Sequence, residues 1–358
     1  MDRSWKSNRR SRRRRHSRNA VLAALAWAVG AFVATAGANA ALGPWLRDPL
    51  YADKESELQR RITTSARSPD NLIVMFGSSR TANGLIGAEF EAVWRERAGE
   101  PVAAFNFGVP SCGPITQFLH LRRLLANGLR PNLVLLEVMP PLLAGQVPAP
   151  PEHHFHAPER LLPSEVDLVL SRGYPPEPTS GRAEVATWCP IYALRLPILG
   201  RVFPSWSPWN LRFDSSRHCD DSGWLRPVFD TVSDAQRQQG FDRACAEYAD
   251  LLRSLTLDGP AAQAIFDCVD ACNDAGIPIV LVLMPESANF RALYSMSAEQ
   301  ALRDFVSRAR ERAPVIDARC WLHEQAFSDG HHMLARGAIQ FSRRLAEELA
   351  STPLVIHR

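Results

Sequence analysis

Five short apolar runs, separated by amphipathic segments, constrain the fold of this chain more than any other feature. The runs are rich in strand-forming residues, as in "NLIVMF" at 71–76, and the segments between them suit helices, as in "GAEFEAVWRERAG" at 87–99. Continuous apolar strands that alternate with helices are typical of a parallel sheet covered on both faces. We therefore predict an α/β domain with strands at 71–76, 101–108, 131–138, 277–285 and 314–318, and helices at 87–99, 116–128, 233–255, 260–276, 298–313 and 335–351.

A segment rich in proline and tryptophan, residues 139–231, interrupts this alternation and divides the α/β domain into 71–138 and 232–351. We predict that it is an insertion that lies as a lid over one end of the sheet. Its tryptophans either stack on sugars or pack the lid itself; they are Trp188, Trp206, Trp209 and Trp224.

The N-terminal region has the charge pattern of a membrane anchor. Residues 1–18 carry nine basic residues and one acidic residue, a net charge of +8 in a chain whose total is +3, so the remainder is acidic at −5. Residues 19–46 contain no charged residue and are long enough to span a bilayer. Basic residues before such a span favour a cytoplasmic N-terminus.

We therefore predict a basic cytoplasmic tail at 1–18, a transmembrane signal anchor at 19–46, a polar stalk at 47–70 and an exported body. The small residues "ANAA" at 38–41 resemble a signal-peptide cleavage site, and cleavage near Ala40 would make the protein secreted instead. Because the anchor accounts for the arginines, we expect no nucleic acid as a partner.

Residues able to do acid–base and nucleophilic chemistry follow several predicted strands. In open parallel sheets, ligands bind beyond the carboxyl ends of the strands. Ser78 and Ser79 follow the first strand, and "SDGHH" precedes the last helix. A serine needs a base such as histidine, and the histidine needs a carboxylate that fixes its tautomer. Asp329 and His332, three residues apart, supply both groups on one turn, whereas we expect His331 to be a surface neighbour.

Three motifs resemble those of the SGNH (GDSL-like) hydrolase family. "FGSSR" resembles the first block, with Gly77-Ser78-Ser79 over Gly-Asp-Ser, "NFGVPSCG" resembles the second, glycine-bearing block, and "DGHH" resembles the terminal Asp-x-x-His block. The resemblance covers about 71–350 without the insertion. It implies a flavodoxin-like three-layer sandwich.

The resemblance also implies roles for individual residues. Ser79 becomes the nucleophile, His332 the base and Asp329 its carboxylate partner. The backbone N–H groups of Ser79 and Gly113, with Gly108 as the alternate, become the oxyanion hole that stabilises the tetrahedral intermediate.

Further residues at the same sheet edge are candidate substrate contacts: Arg80, Asn106, Glu137, Glu286 and Arg291. Glu137 is either such a contact or a buried, hydrogen-bonded structural carboxylate. It stands where the family usually supplies an asparagine donor, and a carboxylate donates a hydrogen bond only when protonated. The histidines of "HHFH" at 153–156 have no fixed carboxylate partner, so we predict no metal site, and we predict no cofactor.

This chain resembles exported SGNH-like proteins of D-alanylation and polysaccharide O-acetylation, which partner multi-pass acyltransferases. The resemblance rests on the membrane anchor, the Gly-Ser-Ser-Arg sequence and Glu137. The sequence thus predicts a serine-dependent ester hydrolase or O-acyltransferase that acts on an acylated cell-envelope glycan or a small ester. The alternative is a catalytically silent module that binds a glycan or is the scaffold of an acyltransferase complex.

Overall fold

The computed structural model describes residues 17–35, 37, 47–64, 71–206, 219–227 and 229–351. Parts of several predicted segments lie outside the described residues: residues 1–16 of the tail, the cleavage segment 38–41, residues 65–70 of the stalk, and Trp209.

Five parallel strands form one sheet in the order β2-β1-β3-β4-β5. The strands are β1 (Leu72–Gly77), β2 (Ala103–Gly108), β3 (Leu133–Val138), β4 (Ile279–Leu283) and β5 (Val315–Asp317). All five coincide with predicted strands, and the order is that of a flavodoxin-like doubly wound sheet. The prediction of an α/β fold with a parallel sheet is confirmed.

The described residues form fourteen α-helices, and those that pack against the sheet cover both of its faces. In order, they are α1 (Ser17–Thr35), α2 (Pro49–Thr64), α3 (Ser79–Gly84), α4 (Gly87–Ala98), α5 (Pro114–Ala126), α6 (Val166–Ser171), α7 (Pro176–Trp188), α8 (Pro190–Ala193), α9 (Arg195–Val202), α10 (Asp234–Arg253), α11 (Pro260–Asp274), α12 (Ala288–Arg291), α13 (Met296–Arg310) and α14 (Ala335–Ser351). In β1, Val74 and Phe76 face the core formed with α5, α11 and α13, whereas Ile73 and Met75 face the core formed with α4 and α14. Since successive strand residues point to opposite faces, this division explains why the strands are apolar throughout.

Helix α2 belongs to the folded domain, which corrects the prediction that residues 47–70 are only a stalk. Tyr51 and Leu58 are fully buried in the larger core. Asp48, just before the helix, is also fully buried and accepts hydrogen bonds from Arg123 of α5 at 2.9 Å and from Arg160 of the insertion at 2.7 Å. These buried ion pairs join the start of α2 to the body of the protein.

The insertion packs mainly against the helical layer. Leu161, Val169 and Tyr174 form an apolar cluster with Ile115 of α5 and Ala264 of α11. This cluster is separate from the core between these helices and the sheet. Two other parts of the insertion approach the carboxyl edge of the sheet, as described below, and its role as a lid stays a prediction.

Helix α1 is 19 residues long and is apolar enough to span a membrane or to act as a signal sequence. Its length and composition agree with the predicted anchor at 19–46, of which the described part ends at residue 37.

Candidate active site

The turn after β1 exposes one side chain of the Gly-Ser-Ser-Arg sequence. Ser78 caps α3, because its Oγ accepts a hydrogen bond from the backbone N–H of Arg80 at 3.1 Å. Ser78 and Arg80 are buried, whereas Ser79, the first residue of α3, is only half-buried. Of these three side chains, Ser79 is the one that a substrate can reach.

Ser79, His332 and Asp329 form a continuous chain of hydrogen bonds. Ser79 Oγ lies 2.7 Å from His332 Nε2, and His332 Nδ1 lies 2.7 Å from Asp329 Oδ2. The serine lies 253 positions before the histidine, and the two meet because β1 and the loop before α14 end at the same edge of the sheet. The contact predicted from the sequence is present.

Asp329 is held in its ionised form by this turn. Its Oδ1 accepts hydrogen bonds from the backbone N–H groups of His331 at 3.1 Å and His332 at 2.8 Å. Burial by itself raises the pKa of Asp329, but the nearby histidines and the hydrogen bonds from His332 hold that pKa below its usual range. An ionised Asp329 favours the proton on Nδ1 of His332 and leaves the Nε2 lone pair for the hydroxyl of Ser79.

His331 is buried, which corrects the expectation that it is a surface neighbour. Its ring lies between Tyr248 and Phe290, with centroid distances of 5.3 and 5.0 Å. Burial lowers the pKa of His331 well below its ordinary value, and the neighbouring His332 lowers it further. A neutral, packed His331 stabilises the turn that carries the other two residues.

The side chains of the same turn are also close enough to bind a metal ion. Asp329, His331 and His332 each offer one ligand atom within 4.8 Å of the others. Asp329 Oδ2 and His332 Nδ1 are already hydrogen-bonded to each other at 2.7 Å. A metal ion would have to replace that contact, so the arrangement suits proton transfer better than metal binding.

Glu137 is a buried scaffold residue, in agreement with the structural one of the two roles that the sequence leaves open. Its carboxylate is fully buried and accepts hydrogen bonds from the backbone N–H of Ser78 (2.6 Å), from Ser78 Oγ (3.0 Å) and from Thr81 Oγ1 (2.7 Å). A Cβ at Gly77 would lie 2.3 Å from Glu137 Oε2, so only glycine fits there. Glu137 therefore orients the turn that carries Ser79.

Arg80 and Glu286 are likewise fully buried rather than exposed to a substrate. Arg80 donates to the backbone oxygens of Met284 and Pro285, both at 3.0 Å, and its guanidinium lies 3.4 Å from Glu286 Oε1. Tyr294 donates a further hydrogen bond to Glu286 at 3.0 Å. Burial raises the pKa of Glu286, and the charge of Arg80 opposes this rise. These contacts join α3 to the loop after β4.

Arg291 was also proposed as a substrate contact, but like the three residues above it has structural partners. Its side chain is half-buried. Its guanidinium donates hydrogen bonds to the backbone oxygens of Glu286 and of Arg319, the latter at 2.9 Å. It therefore connects the loops that follow β4 and β5.

Asn106 and Gly108 also have structural partners, which corrects two further expectations. Fully buried, Asn106 donates from Nδ2 to the backbone oxygens of Thr81 at 2.7 Å and Leu85 at 2.8 Å. Its Oδ1 accepts the backbone N–H of Gly108 at 2.9 Å. Since this N–H already has an acceptor, Gly108 does not serve as the alternate oxyanion donor here.

A carboxylate from the insertion occupies the start of α5, where Gly113 was expected to contribute to an oxyanion hole. Glu152 is fully buried and accepts hydrogen bonds from the backbone N–H groups of Ile115 (2.8 Å) and Thr116 (2.9 Å) and from Thr116 Oγ1 (2.6 Å). It lies against Gly113, where an added Cβ would be 2.8 Å from Oε1. Burial raises the pKa of Glu152, and these hydrogen bonds oppose the rise. Sequence reasoning missed Glu152, because a lone glutamate in a proline-rich segment carries no pattern.

A second part of the insertion contacts the helix that carries Ser79. Trp224 donates from Nε1 to the backbone oxygen of Asn83 at 2.8 Å, and the backbone N–H of Leu225 donates to Ala82 at 2.9 Å. The insertion thus contacts both α3 and the start of α5.

No family model matches the chain, and neither does any curated protein sequence. Among solved structures, the chain is similar to a protein from Desulfitobacterium hafniense DCB-2 that is assigned to the G-D-S-L family of lipolytic proteins. The similarity covers 78% of this chain and 99% of the other, with 11% sequence identity and a TM-score of 0.33.

Proposed function

We propose that the chain is an SGNH-type serine ester hydrolase or O-acyltransferase that works through an acyl-enzyme on Ser79. One observation carries the proposal: the half-buried Ser79 hydroxyl, His332 and an ionised Asp329 form a relay with two 2.7 Å contacts. Serine, histidine and aspartate in this geometry make a nucleophile, its base and the group that orients the base. The first and the last of the three motifs that resemble the SGNH blocks supply the same three residues.

In the first step, Ser79 Oγ attacks the acyl carbon of an ester while His332 Nε2 takes the hydroxyl proton. Asp329 stabilises the imidazolium that forms. The tetrahedral intermediate collapses, the bond to the leaving alcohol breaks, and His332 gives its proton to that oxygen. As the first residue of α3, Ser79 also has a backbone N–H without a partner in the helix, and this group donates to the oxyanion.

In the second step, water or a sugar hydroxyl gives a proton to His332 and attacks the acyl carbon. The bond to Ser79 breaks and the proton returns to Ser79 Oγ. Water yields a free acid, which is hydrolysis, and a sugar hydroxyl yields a new ester, which is acyl transfer.

The proposed setting is the cell envelope, with an acylated glycan as the substrate and a multi-pass acyltransferase as a partner. The support is the basic tail followed by the apolar helix α1, a pattern that favours export of the body. A periplasmic reporter enzyme fused after residue 46 tests this topology. It should be active only outside the cytoplasm, and a fusion that is active in the cytosol would contradict export.

The second candidate function is a catalytically silent module that binds a glycan or is the scaffold of an acyltransferase complex. It is favoured by the lack of a second oxyanion donor among the proposed groups. Glu152 covers the start of α5 beside Gly113, the N–H of Gly108 donates to Asn106, and Glu137 is a buried acceptor. Removing one oxyanion donor from a hydrolase typically costs about 10²–10³ in rate.

Intact-mass spectrometry of the full chain, after incubation with p-nitrophenyl acetate, separates the two candidates. The hydrolase proposal expects one added acetyl group, located on Ser79 by peptide mapping and lost in Ser79→Ala. Ser171→Ala, which changes an exposed serine on α6, is the matched control and should be acetylated like the wild type. An adduct that persists in Ser79→Ala rejects the nucleophile assignment, and no adduct in any variant favours the silent module.

A further inference from the structure

The insertion carries a concentration of exposed apolar side chains in α7, α8, α9 and the short turn that follows α9. Of the ten large apolar side chains that are exposed in the described residues after 46, six lie within positions 185–206. They are Val185, Trp188, Tyr192, Leu196, Phe203 and Trp206, and we call them the α7–α9 surface. Apolar residues concentrated in this way mark an interaction site, whereas scattered ones do not.

The chemistry of the α7–α9 surface fits a lipid headgroup region. Segment 185–206 contains no acidic residue and two arginines, Arg195 and Arg201. The guanidinium of Arg195 lies over the ring of Tyr192 at 4.3 Å, and the rings of Phe203 and Trp206 stack at 4.8 Å. Tryptophan, tyrosine and basic residues together are typical of segments that lie in a membrane interface, where anionic headgroups pair with the cations.

The position of this surface in the chain also brings it near the membrane. Arg47 is buried and donates hydrogen bonds to the backbone oxygens of Leu161 (2.9 Å) and of Ala186 in α7 (3.1 Å). Only residues 36–46 separate Arg47 from the end of α1, and an extended segment of that length reaches about 40 Å. Because Arg47 is hydrogen-bonded to α7 itself, the helix that carries Val185 and Trp188 lies within about 40 Å of the end of α1.

From these observations we propose that the α7–α9 surface lies in the outer interface of the membrane that α1 spans. This contact fixes the orientation of the α/β domain relative to the bilayer, so that the Ser79 site lies at a fixed distance from the membrane surface. The proposal rests on the membrane anchor proposed above but not on the chemistry of Ser79.

Lipid photolabelling of the full chain tests this contact. The chain is reconstituted in liposomes of phosphatidylethanolamine and phosphatidylglycerol that contain a phospholipid with a diazirine in its acyl chain. After irradiation, peptides are mapped by mass spectrometry. We expect at least tenfold more lipid adducts on 185–206 than on peptides with Met296 or Phe229, which are 91% and 53% exposed apolar controls outside the surface.

Two variants make the test specific. The double variant Trp188→Ser/Trp206→Ser changes exposed side chains, 62% and 72% accessible, so the fold should persist by circular dichroism. We expect this variant to carry at least fivefold fewer lipid adducts on 185–206 than the wild type, while the adducts on α1 stay unchanged. Ser79→Ala should label like the wild type.

Several outcomes would overturn the proposal. Labelling that is confined to α1, or equal on 185–206 and the controls, would show that the surface does not meet lipid. If 185–206 takes up no lipid and an added bismaleimide joins the exposed Cys189 of two chains, a second copy is the occupant instead. A chain that fails to float with the liposomes would reject both this contact and the anchor, while acetylation of Ser79 would remain as a separate result.

Discussion

Replacing Asp329 with asparagine should stop the proposed acyl transfer through the tautomer of His332. In the protein, Asp329 Oδ1 accepts two backbone N–H groups, at 3.1 and 2.8 Å, and Oδ2 faces the histidine ring. An asparagine amide keeps both backbone hydrogen bonds only if its oxygen takes the position of Oδ1. Its NH₂ group then faces Nδ1, which must accept, and the proton moves to Nε2, where it blocks proton transfer from Ser79.

The size of the effect follows from these contacts. Turning the amide around sacrifices two hydrogen bonds of about 1 kcal/mol each, so the unproductive tautomer is favoured by about 2 kcal/mol, or about 30-fold. Loss of the carboxylate also weakens the hydrogen bond to the imidazolium by about 1–2 kcal/mol, a further factor of about 5–30. Together these factors give about 10²–10³ in the acylation rate, while the same change in serine proteases costs about 10⁴.

The assay is single-turnover acetylation of the full chain by p-nitrophenyl acetate, followed as release of p-nitrophenol under excess enzyme. Asp329→Asn should lower the acylation rate constant without changing the apparent binding constant of the ester. Asp234→Asn is the matched control, because it removes an exposed carboxylate that pairs with Arg237 at 3.3 Å on α10. Its rate should stay within twofold of the wild type. A loss of less than tenfold in a folded Asp329→Asn variant would refute the tautomer argument.

Three further predictions concern the scaffold under the site. Glu137→Gln removes the charge that faces Arg80 Nε at 3.9 Å, so the free energy of unfolding, measured in urea, should fall by about 2 kcal/mol. An unchanged urea midpoint of unfolding would contradict this pairing. Gly108→Ala places a Cβ 2.3 Å from the backbone nitrogen of Ala82, and this overpacking should also destabilise the fold by about 2 kcal/mol in the same assay. A variant as stable as the wild type would contradict this close approach. Burial lowers the pKa of Lys54 from 10.5 to about 8, so between those pH values the unfolded chain binds more protons than the folded protein. Lys54 therefore makes the free energy of unfolding rise with pH, by at most about 1.4 kcal/mol per pH unit. Lys54→Met should remove that rise, and identical slopes in the variant and the wild type would reject the prediction.

The sequence alone determined the sheet and the location of its carboxyl edge. Apolar runs and glycine-terminated helices are local patterns, so each strand was identified from its own residues, and the ends of β1 and β2 followed. The place of Ser78 and Ser79 after β1 and the spacing of Asp329 and His332 on one turn predict a candidate site, and the resemblance to the SGNH motifs selects Ser79 as its nucleophile. These inferences depend on residues only a few positions apart, which is why sequence patterns sufficed.

Only the tertiary structure decided which buried charges meet. The sequence leaves Glu137 open between a substrate contact and a structural carboxylate, and only the fold shows that it accepts hydrogen bonds from Ser78, 59 positions away. Glu152 carries no motif, yet it occupies the start of α5 beside Gly113. Lys54 was assigned to a stalk, yet it is buried and donates to the backbone oxygen of Asn106 at 2.9 Å.

The physical reason is that a buried charge requires a partner but not a partner at a particular distance along the chain. Periodicity reports which face of an element is apolar, because that depends on neighbouring residues. The partner of a carboxylate depends instead on how separate elements pack, and therefore on the whole fold. For this protein, residue spacing together with the SGNH-like motifs predicts Ser79, His332 and Asp329 as candidate catalytic residues, whereas the packing of the insertion and α2 determines their surroundings.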